Sequence, residues 1–191
     1  IMRIDNYLIK IEKNFREKEI QSAFQLINDL KTEYPKTTRI NEFFKKNNFK
    51  YIKKMKISSN EIEILYSKNN FHDIKTIVNN FLKKEPENAY VNSFLGNYYG
   101  KINELNNARI CQEKAILSNP YEGSFYINLA TTYKFLGFLD LSIKILEYIL
   151  LIHPKNETAL LLHADVCFIS SQFKKSFSSY ENLISLEQNN K

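Results

Sequence analysis

Residues able to do chemistry are few and scattered. Three histidines (His72, His153, His163) and two cysteines (Cys111, Cys167) occur in 191 residues, without a CxxC or HxxxH spacing among them. A tetrahedral zinc site needs ligands paired on one turn or one helix face, so no metal is expected. His153 stands just before Pro154 at a helix end, where an imidazolium would suit the negative end of the dipole. His163 lies in the apolar run from Ala159 to Ile169 and reads as a packed core histidine. There is no Gly-rich phosphate loop, no GxSxG elbow and no nucleophile–base arrangement. Catalysis is not expected within this chain, and neither is a cofactor or a small-molecule substrate.

The second chemical candidate is electrostatic. Between Lys36 and Lys56 stand eight basic residues against Glu42 alone, a net of +7 that leaves the rest of the chain at −1. Phe43, Phe44, Phe49 and Tyr51 are interleaved with those lysines. Phosphate neutralisation plus base stacking would use such a mixture. A helix with its aromatics in the core and its lysines in water has the same composition, and that is the expectation here. An anionic partner surface is the alternative. Because the rest of the chain is near neutral, nucleic acid is not an expected partner.

These side chains need a scaffold, and composition narrows it. Hydrophobic residues make up 43% of the chain, enough for a sizeable core, while four Gly and four Pro are too few for a turn-rich sandwich or barrel. The abundance of Lys, Asn, Ile, Phe and Tyr, with no Trp, reads as the product of an AT-rich, bacterial genome. Two distant cysteines inside helical patterns fit a reducing compartment. The most apolar run, Ile143 to Ile152, is broken by Lys144 and Glu147 and is too short to span a bilayer. With no signal-peptide pattern at the start, a soluble cytoplasmic chain without a membrane partner is expected.

The organisation lies in the prolines. Pro86, Pro120 and Pro154 recur with a period of 34, and Pro35 precedes Pro86 by 51, one further period plus 17. Each closes an amphipathic run and precedes a new one, as suits a residue that cannot donate to the preceding turn. The unit 89–122 carries Leu95, Gly96, Tyr99, Ala108 and Ala115. The unit 123–156 carries Tyr126, Leu129, Ala130, Tyr133, Ser142 and Leu146. Both follow the pattern W-x2-L-G-x2-Y…A-x3-F…P, and the chain resembles the tetratricopeptide repeat family. The departures are Asn92 and Gln112, where large aromatics are expected, and Ile149, where a small residue is expected. Weaker copies follow Glu157 (Leu160, Ala164, Cys167, Ser176, Tyr180, Leu183) and precede Pro86 and Pro35. The resemblance implies an all-α solenoid, a superhelix of about five helix pairs over 4–37, 55–88, 89–122, 123–156 and 157–190. One inserted helix at about 38–54 carries Ile40, Phe43, Phe44 and Phe49.

In this family the first (A) helix of each pair lines an inner groove. The resemblance places Tyr90, Ser93, Asn97, Gly100 and Lys101 there from one unit. Ser124, Ile127, Asn128, Thr131, Lys134 and Phe135 come from the next, then Thr158, Leu161, Asp165, Phe168 and Ile169. Such a mixed lining suits a peptide held by amides, hydroxyls and aromatic contact. One subclass grips chaperone carboxylates with two asparagines and three basic residues. Asn97 and Asn128 match the asparagines, but Ser93, Thr158 and Leu162 replace the cations, so that ligand is not expected.

The function implied is a protein-interaction scaffold that binds a partner protein or peptide in its A-helix groove. The alternative is an N-terminal docking region of a larger bacterial enzyme, since such repeats resemble those preceding sulfotransferase and glycosyltransferase domains. The last helix, about Phe173 to Leu186, also carries an apolar stripe that leaves self-association open.

Overall fold

The computed structural model describes residues 2–55 and 71–189. Among them are ten α-helices and no strand: α1 (Ile4–Arg16), α2 (Ile20–Glu33), α3 (Arg39–Lys54), α4 (Phe71–Lys84), α5 (Ala89–Lys101), α6 (Leu105–Ser118), α7 (Gly123–Phe135), α8 (Leu139–Ile152), α9 (Glu157–Ile169) and α10 (Phe173–Asn189). The first helix expected for the 55–88 unit, with Ile62, Leu65 and Tyr66, lies outside the described residues.

The helix ends repeat as strictly as the prolines. Asn88, Glu122 and Asn156 are N-caps of α5, α7 and α9, and each side chain accepts a backbone N–H of the first turn. Between the helices of each pair, Asn103, Gly137 and Ser171 take positive φ (60°, 80° and 61°), again one period apart. The N–H that follows reaches back to the preceding helix in each case: Glu104 to Tyr99 O, Phe138 to Tyr133 O and Gln172 to Cys167 O, at 2.8–2.9 Å. This left-handed closure satisfies carbonyls that the helix end would otherwise orphan. Lys18, at φ 64° between α1 and α2, has the same closure through Glu19 and Asn14. It precedes Asn103 by two periods and the same extra 17 that separates the first two prolines.

Small residues let the helices approach. A Cβ on Gly96 would stand 2.6 Å from Gln112 Cγ and 3.1 Å from the carbonyl of Ala108, so α5 and α6 touch there almost backbone to backbone. The polar departures from the family pattern have partners of their own. Tyr126 donates its hydroxyl to Pro120 O at 2.9 Å; one period earlier Asn92 sends its amide to Pro86 O (3.3 Å) and Asn88 O (2.9 Å). Asn92 therefore ties the same turn with a shorter side chain. Gln112 is buried and bridges α5 to α7, donating to Asn97 Oδ1 (3.4 Å) and accepting from Thr132 (2.7 Å).

The row of pairs is folded back on itself. Phe24 of α2 stacks on Tyr148 of α8 (4.4 Å between centroids, 4° between planes) and meets Tyr126 of α7 edge-on at 5.4 Å. Phe15 and Phe44 both meet Tyr121 edge-on, at 5.3 and 5.6 Å. These contacts join α1–α3 and α7–α9 in one continuous core, whereas α4 and α5 share a smaller one around Ile74, Val78, Val91 and Phe94. The inserted helix α3 makes the return possible by crossing the turns at 85–89 and 119–123. Asn48 is its hub. Its amide donates to Glu122 (2.8 Å), and its carbonyl accepts from the buried Asn119 (2.6 Å) and from Tyr90 (3.4 Å).

Two residues depart from what their neighbourhood in the sequence implies. The aromatic pattern puts Phe49 in the core with Phe43 and Phe44, but it is 56% exposed, with the Lys53 ammonium 4.7 Å from its ring centroid. Its position on the helix falls on the lysine side, not on the seam defined by Ile40, Phe44 and Asn47. The helix end at Pro154 suits His153 as a cation. The residue does terminate α8, yet burial pushes its pKa below the ordinary value, so the ring is neutral near pH 7.

Candidate functional site

The A helices α5, α7 and α9 lie side by side, so positions one period apart become neighbours across the array. The glycine at Gly96 sets the depth between α5 and α6, and the Gln112 bridge fixes α7 beside them. Together they leave a cavity of about 260 Å3 lined by Asn97, Gly100, Lys101, Leu105, Gln112, Asn128, Thr131, Thr132 and Phe135. The structure thus brings Asn97, Lys101, Asn128 and Thr131 together.

Their hydrogen bonds define what faces the opening. Asn97 accepts from Gln112 through its carbonyl, which leaves the amide N–H groups as donors toward the cavity. Asn128 donates to Ser93 Oγ at 3.2 Å, which leaves its carbonyl as an acceptor. Thr131 turns its hydroxyl back to Ile127 O at 2.9 Å. A donor and an acceptor side by side match the C=O and N–H of an extended peptide. Lys101 and Phe135, both exposed, supply a cation and a ring at the rim.

Other expected groove residues stand elsewhere. Ser93 is a correction: at 1% exposure it lies under the groove floor, and its hydroxyl is the acceptor that orients Asn128. Tyr90 is covered by α3, bonded to Asn48 and to Glu122 at 3.2 Å and packed edge-on to Phe125, and burial raises its phenol pKa. Ile127 is half-buried against the core. Ser124 and Thr158 are exposed on the first turns of α7 and α9. Lys134 and Asp165 pair across α7 and α9 at 3.7 Å, and Asp165 also accepts the Tyr180 hydroxyl at 2.8 Å. Leu161 projects into solvent at the far end.

The opposite, second-helix face holds a cavity that the residue pattern did not announce. About 310 Å3 lies between α6 and α8 above Tyr126, Leu129 and Tyr133, closed at one side by Ile20 and Gln21 of α2. Glu113 at its edge accepts from Tyr133 (3.0 Å) and Arg109 (2.9 Å), and burial with that carboxylate pushes the Tyr133 phenol up to about 12. No local signal reveals this cavity, because one wall comes from a helix far earlier in the chain.

The remaining described histidine and cysteine side chains are packed, while the His72 side chain lies outside those described. His163 is buried, with its Nδ1 2.8 Å from Ser179 Oγ, and burial lowers its pKa. Cys111 and Cys167 are buried free thiols whose pKa values burial raises, which holds them in the unreactive protonated form.

Residues 89–122 match the family model described as tetratricopeptide repeat. That match covers one unit of the chain, α5 and α6 with the turn between them. Solved structures agree on the fold. A crystal structure of MamA has a TM-score of 0.60 at 15% identity, covering 100% of this chain and 98% of the other. MamA 41-end from Desulfovibrio magneticus RS-1 has a TM-score of 0.61 at 12% identity, covering 97% and 95%. At such identities the likeness concerns the fold. No curated protein matches the sequence. Among the described residues, no helix is long and apolar enough to cross a membrane.

Proposed function

We propose that the tetratricopeptide array is a scaffold that holds a partner protein through an extended peptide in its A-helix groove. The observation that carries this is the convergence of Asn97, Lys101, Asn128 and Thr131 on one cavity, with an amide donor and an amide acceptor turned toward it. Side-chain amides grip peptide backbone without demanding a sequence, while Lys101 and Phe135 select the side chains that flank it. A ligand with an acidic and an apolar residue beside the gripped backbone fits this lining. Asp165 is already neutralised by Lys134, so the groove offers Lys101 as its unpaired charge among the described residues.

The test is a peptide-array screen read by fluorescence anisotropy, comparing the wild type with Lys101→Glu and with Asn97→Ala/Asn128→Ala. Loss of one hydrogen bond to a charged or amide partner corresponds to roughly a tenfold weaker dissociation constant. Both variants are expected to show at least that loss with unchanged helicity. Peptides that bind all three proteins equally would place the partner on another surface.

A further inference from the structure

Each junction between consecutive pairs covers one face of the earlier pair with the first helix of the next. In α8 that face is Leu139, Ile143, Leu146 and Leu150; the middle two are buried and the outer two half-buried. One period later the same register positions are Phe173, Phe177, Tyr180 and Ile184 of α10. They are 59%, 65%, 38% and 54% exposed. Phe168 of α9 adjoins them, also exposed and edge-on to Phe173 at 5.6 Å. Nothing among the described residues covers this face. Surface hydrophobes that occur singly need no explanation, whereas a contiguous strip of large ones marks a contact surface.

The alternating steps of four, three and four draw a straight seam along α10, as in helices that pair side by side. Charge then selects the occupant. Lys174 and Glu181 flank the seam on the same side, two turns apart, and neither has a charge partner among the described residues. Its neighbour Lys175 is already held by Glu147 at 2.7 Å. Two α10 helices running antiparallel bring each Lys174 opposite the other copy's Glu181, with Phe177 and Tyr180 interleaved at the centre. A parallel pair would carry the two copies' Lys174 and Glu181 to opposite sides of the seam, without that pairing. A two-fold axis perpendicular to the helices generates the antiparallel arrangement, with the same patch on both partners.

We propose that this face is a self-association surface that joins two copies through antiparallel α10 helices. It stands apart from the peptide groove, and either can fail without the other. Sedimentation equilibrium of the whole chain across a wide concentration range tests it. The expected result is a concentration-dependent dimer that Phe177→Glu weakens at least tenfold, with helicity and groove binding unchanged. Lys174→Glu and Glu181→Lys are each expected to weaken the dimer several-fold, and the double exchange to restore it. Mixing the two single variants is expected to restore it as a heterodimer. These surface exchanges keep the test valid should Phe177→Glu impair folding. A mass that stays at one chain throughout overturns the proposal, as does a dimer indifferent to Phe177→Glu or charge variants without mutual rescue. A monomer that captures an unrelated amphipathic helix on this face overturns it equally.

Discussion

At the amino-terminal side, α2 lays Phe24 flat on Tyr148 and buries it completely, whereas at the other side α10 holds Phe177 largely in solvent. Both residues are phenylalanines on amphipathic helices of the same array, and their helical phase alone does not distinguish them. The difference lies in what arrives to cover them. For α2 it is the second helix of a pair far along the chain, delivered because α3 carries the backbone across the inter-repeat turns. For α10 no described element plays that part. A repeat interface is a generic surface, and whether it is core or contact face depends on its neighbour.

The sharpest way to break this contrast is to remove the buried ring. Phe24→Ala should cost about 3–5 kcal/mol, because a large side chain leaves a cavity between α2, α7 and α8. Urea denaturation monitored by circular dichroism measures it, and a loss under about 1 kcal/mol would mean the return contact is not formed in solution.

Asn48→Ala comes next. It strips partners from the buried Asn119 and from Glu122, at about 1–3 kcal/mol. If α3 is the strap, this variant should also make α1–α3 more sensitive to limited proteolysis than the rest.

Closure between helices offers a gain. Ser171→Gly should stabilise by about 0.5–1 kcal/mol, since glycine adopts φ near +60° without the Cβ penalty. The readout is a higher melting temperature, and an unchanged one would argue that the turn carries no such strain.

The exposed ring should matter least to folding. Phe177→Ala is expected to change monomer stability by less than about 0.5 kcal/mol at dilutions where the chain is single. A large loss there would show that α10 is covered after all.

Acid acts on both regions. His153 faces Glu122 and Lys31, while His163 faces Glu147, Lys175, Ser179 and Cys167; burial is the leading cause of the lowered pKa in each. The unfolded chain takes up its protons near the ordinary value of about 6.5, above the folded values. Stability is therefore level above that pH and declines as pH falls through it, with the decline ending below the folded pKa values. Thermal melts at neutral and mildly acidic pH should show the decline, and a His153→Gln/His163→Gln variant should show less of it.

Much of this molecule is legible in its residues because the repeat is local in meaning. The prolines at 86, 120 and 154 mark the turns, and the caps at 88, 122 and 156 follow from short-range hydrogen bonding. Gly96 and Ala108 announce a close crossing because only small side chains permit one. The same adjacency made Asn97, Lys101, Asn128 and Thr131 recognisable as neighbours, since residues one period apart meet wherever pairs stack. Ser93 shares that register and is nevertheless buried, because Asn128 leans over it; register names the helix face but not the rotamer of the residue above.

The sequence by itself determined the helix pairs, their closures and their order, all set by contacts within a period or with the next one. Tertiary structure alone decided the return of α1–α3, the apolar cavity beneath α2, the neutrality of His153 and the exposure of Phe49 and Phe177. Those outcomes depend on which distant surfaces fit one another, and the free energy of that fit comes from shape and burial across the chain. No short-range pattern of residues encodes it.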